Sequence, residues 1–190
     1  MRNLLLVILT IATFTTFSHA QNSGVKRDGF VFGAGIGGGI ISLSHSDAEG
    51  EFDEAQGAFS LPNLKIGWML NDNLALLATF PGMLYEVDGK DRSFEAVMPT
   101  LQYWVSDKWW VNGGVGLAMD FPAFYNIKNV EDETWNFGCA VAASAGYEFV
   151  QRENFAIDFN AKVHLGRTFL ENDAHLDGIG LSVGVGFTWF

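Results

Sequence analysis

Residues 178–190 alternate without a break. Ile179, Leu181, Val183, Val185 and Phe187 fall on one face, and Gly180, Ser182, Gly184, Gly186 and Thr188 on the other. Period-two alternation specifies a β-strand with one apolar face. The stronger constraint is the second face, which is almost bare of side chains. A strand with its bulk outward and glycine inward fits a small barrel in lipid, where hydrocarbon lies outside and interior space is scarce.

The pattern recurs along the chain. Eight strands are predicted at Gly29–Leu43, Ala58–Leu70, Asn73–Tyr85, Ser93–Val105, Trp109–Met119, Thr134–Phe149, Phe155–Leu170 and Gly178–Phe190. Short turns join the second strand to the third, the fourth to the fifth and the sixth to the seventh; longer connections join the other neighbours. An even strand count with short turns at one end and long loops at the other is the outer-membrane arrangement, with both termini on the short-turn side. Around the turn at Ser106-Asp107-Lys108, Tyr103 meets Val111 outside and Trp104 meets Trp110 inside. Around the turn near Gln151–Asn154, a symmetric hairpin pairs Phe149 with Phe155, Tyr147 with Ile157 and Val141 with Val163 on one face. Outward aromatics gather at both ends of the strands (Trp68, Trp109 and Tyr147 below; Phe80, Trp135 and Phe169 above), the distribution found at bilayer interfaces. The fold class is therefore all-β: a closed eight-stranded antiparallel up-and-down transmembrane β-barrel, monomeric. A soluble eight-stranded barrel would bury the bulky face instead. Glycine argues against it: Gly33, Gly37, Gly116, Gly138 and Gly184 all fall on the polar face, and a solvated face has no need of small residues.

The start of the chain supports export. Arg2 precedes the apolar run Leu4–Phe17, and Ser18-His19-Ala20 forms a small-x-small cleavage site. The run is shorter than the roughly 20 residues a spanning helix needs. Residues 1–20 are thus expected to be a signal peptide and 21–190 a single barrel domain. Cys139 is the lone cysteine, so no disulfide framework exists. A formal net charge of −11 opposes nucleic acid, which selects basic surfaces.

Taken whole, the chain resembles the small eight-stranded outer-membrane proteins of the OmpA-transmembrane-domain, OmpX and OmpW kind. Its aromatic last residue, Phe190, on an amphipathic final strand resembles the assembly signal of bacterial outer-membrane barrels. The resemblance implies residence in the bacterial outer membrane, contact with its lipid and lipopolysaccharide, and delivery by the barrel assembly machinery through the C-terminal strand. There is one departure. Such signals carry another aromatic two residues before the last, where this chain has Thr188. Either the last strand bulges or Phe190 turns away from lipid.

Charged residues on the inward face are the first candidate site: Lys65, Glu148, Asp158, Lys162 and His164. Charge in a narrow lumen must be paired, so these are expected to form a polar network that plugs the barrel, with a proton or ion path as the alternative. No second histidine lies two or four residues from His164, so no metal site is expected. Lipid A deacylases share this architecture and use a His-x-Ser pair. Here His164-Leu165-Gly166 has glycine at the serine position, His45-Ser46 are adjacent, and His175 is followed by Leu176-Asp177. No catalytic residues and no cofactor are expected. Acidic connections (Asp47, Glu49, Glu51, Asp53 and Glu54; Glu131, Asp132 and Glu133; Glu171, Asp173 and Asp177) match no twelve-residue calcium loop. They read as a solvated rim, or as a surface that divalent ions bridge to lipopolysaccharide phosphates.

Three prolines form the last candidate. Pro62, Pro81 and Pro99 fall on consecutive strands at similar height, and each removes a ladder donor. Either the strands end or bulge there, or the wall has a lateral gap through which an apolar solute reaches the upper lumen, above a floor of Trp104 and Trp110. The functional expectation is a non-enzymatic outer-membrane barrel with a structural, surface-interaction or small apolar-solute-binding role. A lipid A-modifying enzyme or a narrow pore is the alternative.

Overall fold

Period-two segments of this chain form one closed sheet. The computed structural model describes residues 24–48, 53–87, 89–124 and 134–190. The expected signal segment and the acidic residues Glu49, Glu51, Glu131, Asp132 and Glu133 lie outside the described residues. The strands are β1 (Phe30–His45), β2 (Gln56–Asn71), β3 (Leu74–Phe80), β4 (Gly82–Val87), β5 (Lys90–Trp104), β6 (Trp109–Pro122), β7 (Asn136–Arg152), β8 (Phe155–Phe169) and β9 (His175–Trp189). Each pairs antiparallel with its neighbours, and β1 pairs with both β2 and β9, closing a ring of eight wall positions. β3 and β4 share the third position. The sequence predicts one strand there, and Pro81, which has no N–H for the ladder, divides it.

Two further details correct the sequence reading. The connection from β4 to β5 is not long: Val87 pairs with Lys90, and Gly89 takes the positive φ (74°) of a tight turn. The charged run from Glu86 to Arg92 looks like a loop in sequence but is mostly strand. The β7–β8 hairpin pairs Val141 with Leu165 and Tyr147 with Phe159, two residues from the expected register. An even offset preserves every face. A bulge at Phe149, between the Glu148–Asp158 and Val150–Ile157 pairs, then reverses the parity of the last residues of β7. At the β5–β6 turn the expected pairs, Tyr103–Val111 and Trp104–Trp110, are present.

The wall is apolar outside. Trp68 is 59% exposed, Val115 66% and Val183 67%, whereas Phe94 and Trp104 inside are buried. In water such a surface would be costly at about 25 cal/mol per Å². In hydrocarbon it is at home, and a closed ring leaves no unpaired sheet edge. No helix among the described residues is long and apolar enough to span a membrane; this barrel crosses with strands. Inward glycines make room for large neighbours: Gly146 lies against the Trp110 indole, and a Cβ at Gly178 would come 2.6 Å from the Phe94 ring.

Three tiers fill the interior. Val25, Val31, Leu77, Trp104, Trp110 and Phe190 pack as a floor near the short turns. Ile41, Leu43, Met83, Tyr85, Phe94 and Leu176 pack as a roof toward the loops. Polar residues share the level between with a small apolar cluster of Ala96, Met98, Ala118, Ala140 and Ala142. Phe190 is buried in the floor, edge-on to Trp104 at 5.7 Å, and both ladders of β9 run in continuous register. The last residue thus turns away from lipid, and the strand does not bulge.

Candidate functional site

The floor is held by a charge that lies outside every strand. Arg27, in the extended segment before β1, enters the barrel mouth. Its Nη2 donates to Glu148 Oε2 at 2.7 Å and to the carbonyl of Asp107 at 2.7 Å, and its guanidinium sits 4.9 Å from the Trp104 ring centre. Glu148 also accepts from Trp104 Nε1 at 2.6 Å and from Gln151 Nε2 at 2.7 Å. The Phe149 bulge is what turns Gln151 inward to make that bond. Glu148 is therefore fully engaged in the floor. Sequence reading missed Arg27 because it belongs to no alternating segment.

Above the floor, Lys65, Asp158 and Lys162 line one cavity of about 70 Å³. Lys65 Nζ makes a long 3.4 Å contact to Gln102 Oε1 and lies 5.1 Å from the Trp110 ring centre. Lys162 Nζ donates to Asn63 Oδ1. Asp158 accepts from Asn160 Nδ2 at 2.8 Å and acts electrostatically on both lysines. Among the described residues no carboxylate forms an ion pair with Lys65 or Lys162. His164 stands apart: it stacks on Phe94 at 5.8 Å, and its buried Nε2 has no hydrogen-bond partner.

The wall beside this cavity is broken. Between β2 and its neighbours β3 and β4 the ladder runs up to Leu64–Phe80 and resumes only at Phe59–Leu84. Residues 60–63 therefore face 81–83 without a ladder pair. On its other edge β2 shifts register against β1 over the same residues, a bulge containing Pro62. Pro81 is buried and lines the cavity. Pro99 is exposed and pairs with Ala78 in unbroken β3–β5 register, so only two of the three prolines flank the break. One side chain spans it instead of backbone: Ser60 Oγ donates to the Gly82 carbonyl at 2.7 Å, and within β2 Asn63 Nδ2 donates to Ser60 Oγ at 2.9 Å. The cavity lining includes outward Leu64 and Phe80 as well as inward Lys65 and Lys162, so it spans the wall at this point.

Toward the loops, a second cluster was not visible in sequence. Arg92 holds Asp120 through Nε (3.1 Å) and Nη2 (2.7 Å), and Tyr85 Oη donates to Asp120 Oδ1 at 2.8 Å. The predicted fifth strand stopped at Met119, one residue short of Asp120. At the rim Ser46, His175 and Asp177 do converge. It is the backbone N–H of His175, not its ring, that donates to Ser46 Oγ (3.0 Å), while Arg167 takes both oxygens of Asp177. That contact is not the imidazole–hydroxyl relay of acyl transfer.

No family model matches this chain, and no curated protein matches it. Solved structures do. Ail, the attachment invasion locus protein of Yersinia pestis, in complex with the heparin analogue sucrose octasulfate, superposes with a TM-score of 0.53 at 17% identity, covering 84% of this chain and 99% of Ail. Neisserial surface protein A superposes with a TM-score of 0.53 at 15% identity, covering 83% of this chain and 95% of that one. The fold is that of the small eight-stranded outer-membrane β-barrels.

Proposed function

We propose that this chain is a non-enzymatic outer-membrane barrel that takes a small apolar solute from the bilayer through its wall. The observation that carries the reading is the coincidence of a broken β2–β3/β4 ladder with a cavity that has Trp110 in its lining and lies in a lumen packed toward the short turns by Trp104, Trp110 and Phe190 and toward the loops by Phe94 and Met83. Vertical passage is blocked at both ends, and the side is where backbone bonding fails. The C-terminal strand would engage the assembly machinery, and the outer wall would contact membrane lipid and lipopolysaccharide.

Ail holds a polyanion, and a surface-interaction role is the second reading. The described rim residues here include Asp47, Asp53, Glu54, Glu171 and Asp173, a charge that opposes such a ligand. A cationic partner, or divalent ions between this rim and lipopolysaccharide phosphates, fits it better.

The test is an NMR titration of the protein in lipid nanodiscs with dodecanol. Amides of the lumen-lining residues Gly35, Ser144 and Gly186 should shift in a saturable way. Shifts confined to outward residues such as Val183 would leave the barrel as a wall with no guest.

A further inference from the structure

The cavity carries an imbalance of charge that its own residues do not resolve. By sequence the lumen holds two lysines and two carboxylates, but Arg27 consumes Glu148 in the floor. Of the predicted lumen carboxylates, only Asp158 is then left without an ion-pair partner; it is hydrogen-bonded to Asn160 and forms an ion pair with neither Lys65 nor Lys162. Lys162 is satisfied by a neutral carbonyl oxygen, Asn63 Oδ1, and Lys65 by the long contact to Gln102. Ammonium groups inside a membrane-spanning wall call for a counter-charge. One monoanion would complete the set.

The same residues define the shape of that anion. The cavity, about 70 Å³, has room for roughly five water-sized groups. That accommodates a carboxylate and the first methylenes of a chain, and is too small for a glycerophosphate headgroup. Its side toward the break is apolar, with Leu64, Phe80 and Pro81. Asn63 links the two features: its oxygen accepts from Lys162 while its amide nitrogen donates to Ser60, which in turn holds Gly82 across the break. A carboxylate makes a stronger, charge-assisted bond to an ammonium than a neutral amide oxygen does. It would displace Asn63 from Lys162 and loosen the side-chain bridge across the wall.

We infer that the cavity is a headgroup site for a single-chain carboxylate. Lys65 and Lys162 bind the anion, and the alkyl chain leaves through the break between β2 and β3/β4 into the bilayer. The inference rests on the lateral-entry reading above and adds the chemical class of the guest. Exchange of Asn63 for the incoming carboxylate couples recognition of the headgroup to opening of the wall.

The experiment compares dodecanoate with dodecanol, which share a chain and differ in charge, against the full-length mature protein in nanodiscs. Empty nanodiscs correct for partition into lipid. Dodecanoate should bind at least about tenfold tighter than dodecanol, as expected when a charged hydrogen bond replaces a neutral one. The doubly substituted Lys65→Met, Lys162→Met protein, checked for folding by its gel shift on boiling, should bind both with equal affinity. The wild-type comparison alone decides the matter if that variant does not fold. Equal binding of the two ligands by wild type overturns the headgroup site and leaves lateral entry standing. Absence of saturable binding by either overturns both.

Discussion

Arg27 and Glu148 are the residues on which the barrel's closed end most depends. Both are nearly solvent-free, with side-chain exposures of 5% and 2%. Removing one strands the other, which costs about 3–5 kcal/mol when the survivor stays desolvated. Glu148→Ala should therefore lower unfolding stability by that amount in urea titrations from lipid vesicles. The joint Arg27→Met, Glu148→Met replacement should cost less than the two single substitutions added together, because neither leaves a lone charge. Small residues make an equally sharp prediction. Gly146 lies against the Trp110 indole, so Gly146→Val should abolish the folded, boiling-sensitive gel band, whereas Ala145→Val, on the exposed outer face, should keep it. Alternation placed all five predicted lumen residues on the inward face. It could not show their partners. Two lysines and two carboxylates read as a balanced set, which gave no reason to look for a third cation in a segment without strand periodicity.

Within the wall, the elements differ in how their hydrogen bonds are made. β8 and β9 pair in continuous register from Phe155–Trp189 to Phe169–His175, while β2 loses its β3/β4 partner from residue 60 to residue 63 and bulges against β1 over the same residues. Amide exchange should follow that contrast: Ser60, Leu61 and Asn63 exchange quickly, and the mid-strand amides of β9 exchange only on global opening. Pro81→Ala restores a donor at the break and should slow exchange around residues 60–63. Pro99→Ala should not, since β3–β5 register is already unbroken there. Protection at 60–63 equal to that of β9 in the unaltered protein would remove the opening. Strand identity and facing were legible in sequence because a period of two survives any even slip. Register was not. One extra residue at Phe149 and another in β2 between Ser60 and Asn63 each move the pairing without disturbing the apolar pattern on which sequence reading depends.

At the scale of the whole molecule, the β2–β3, β5–β6 and β7–β8 turns share one end with the first and last described residues, and the other connections, the tight β4–β5 turn among them, start from the opposite end. A cysteine at Glu171 should react with an impermeant reagent added to intact cells, and one at Asp72 should react only after the outer membrane is opened. Reconstituted protein should give no large, steady conductance, because both tiers of the lumen are packed. The floor has a further consequence. Lys26 N–H donates to the Glu153 carbonyl and Phe190 N–H to that of Asn154, and the Arg27 guanidinium lies 5.8 Å from the Phe190 ring centre. The first and last described segments are thus pinned to a single turn and touch each other there. A chain whose final strand is missing or displaced loses the Phe190 side of the Arg27 enclosure, and the Arg27 peptide bond should then be more open to an arginine-specific protease. In a completed barrel the same peptide bond should resist cleavage, and Phe190→Ala should render it sensitive. Cleavage at Arg27 would thus report whether the seam between the first and last strands is closed.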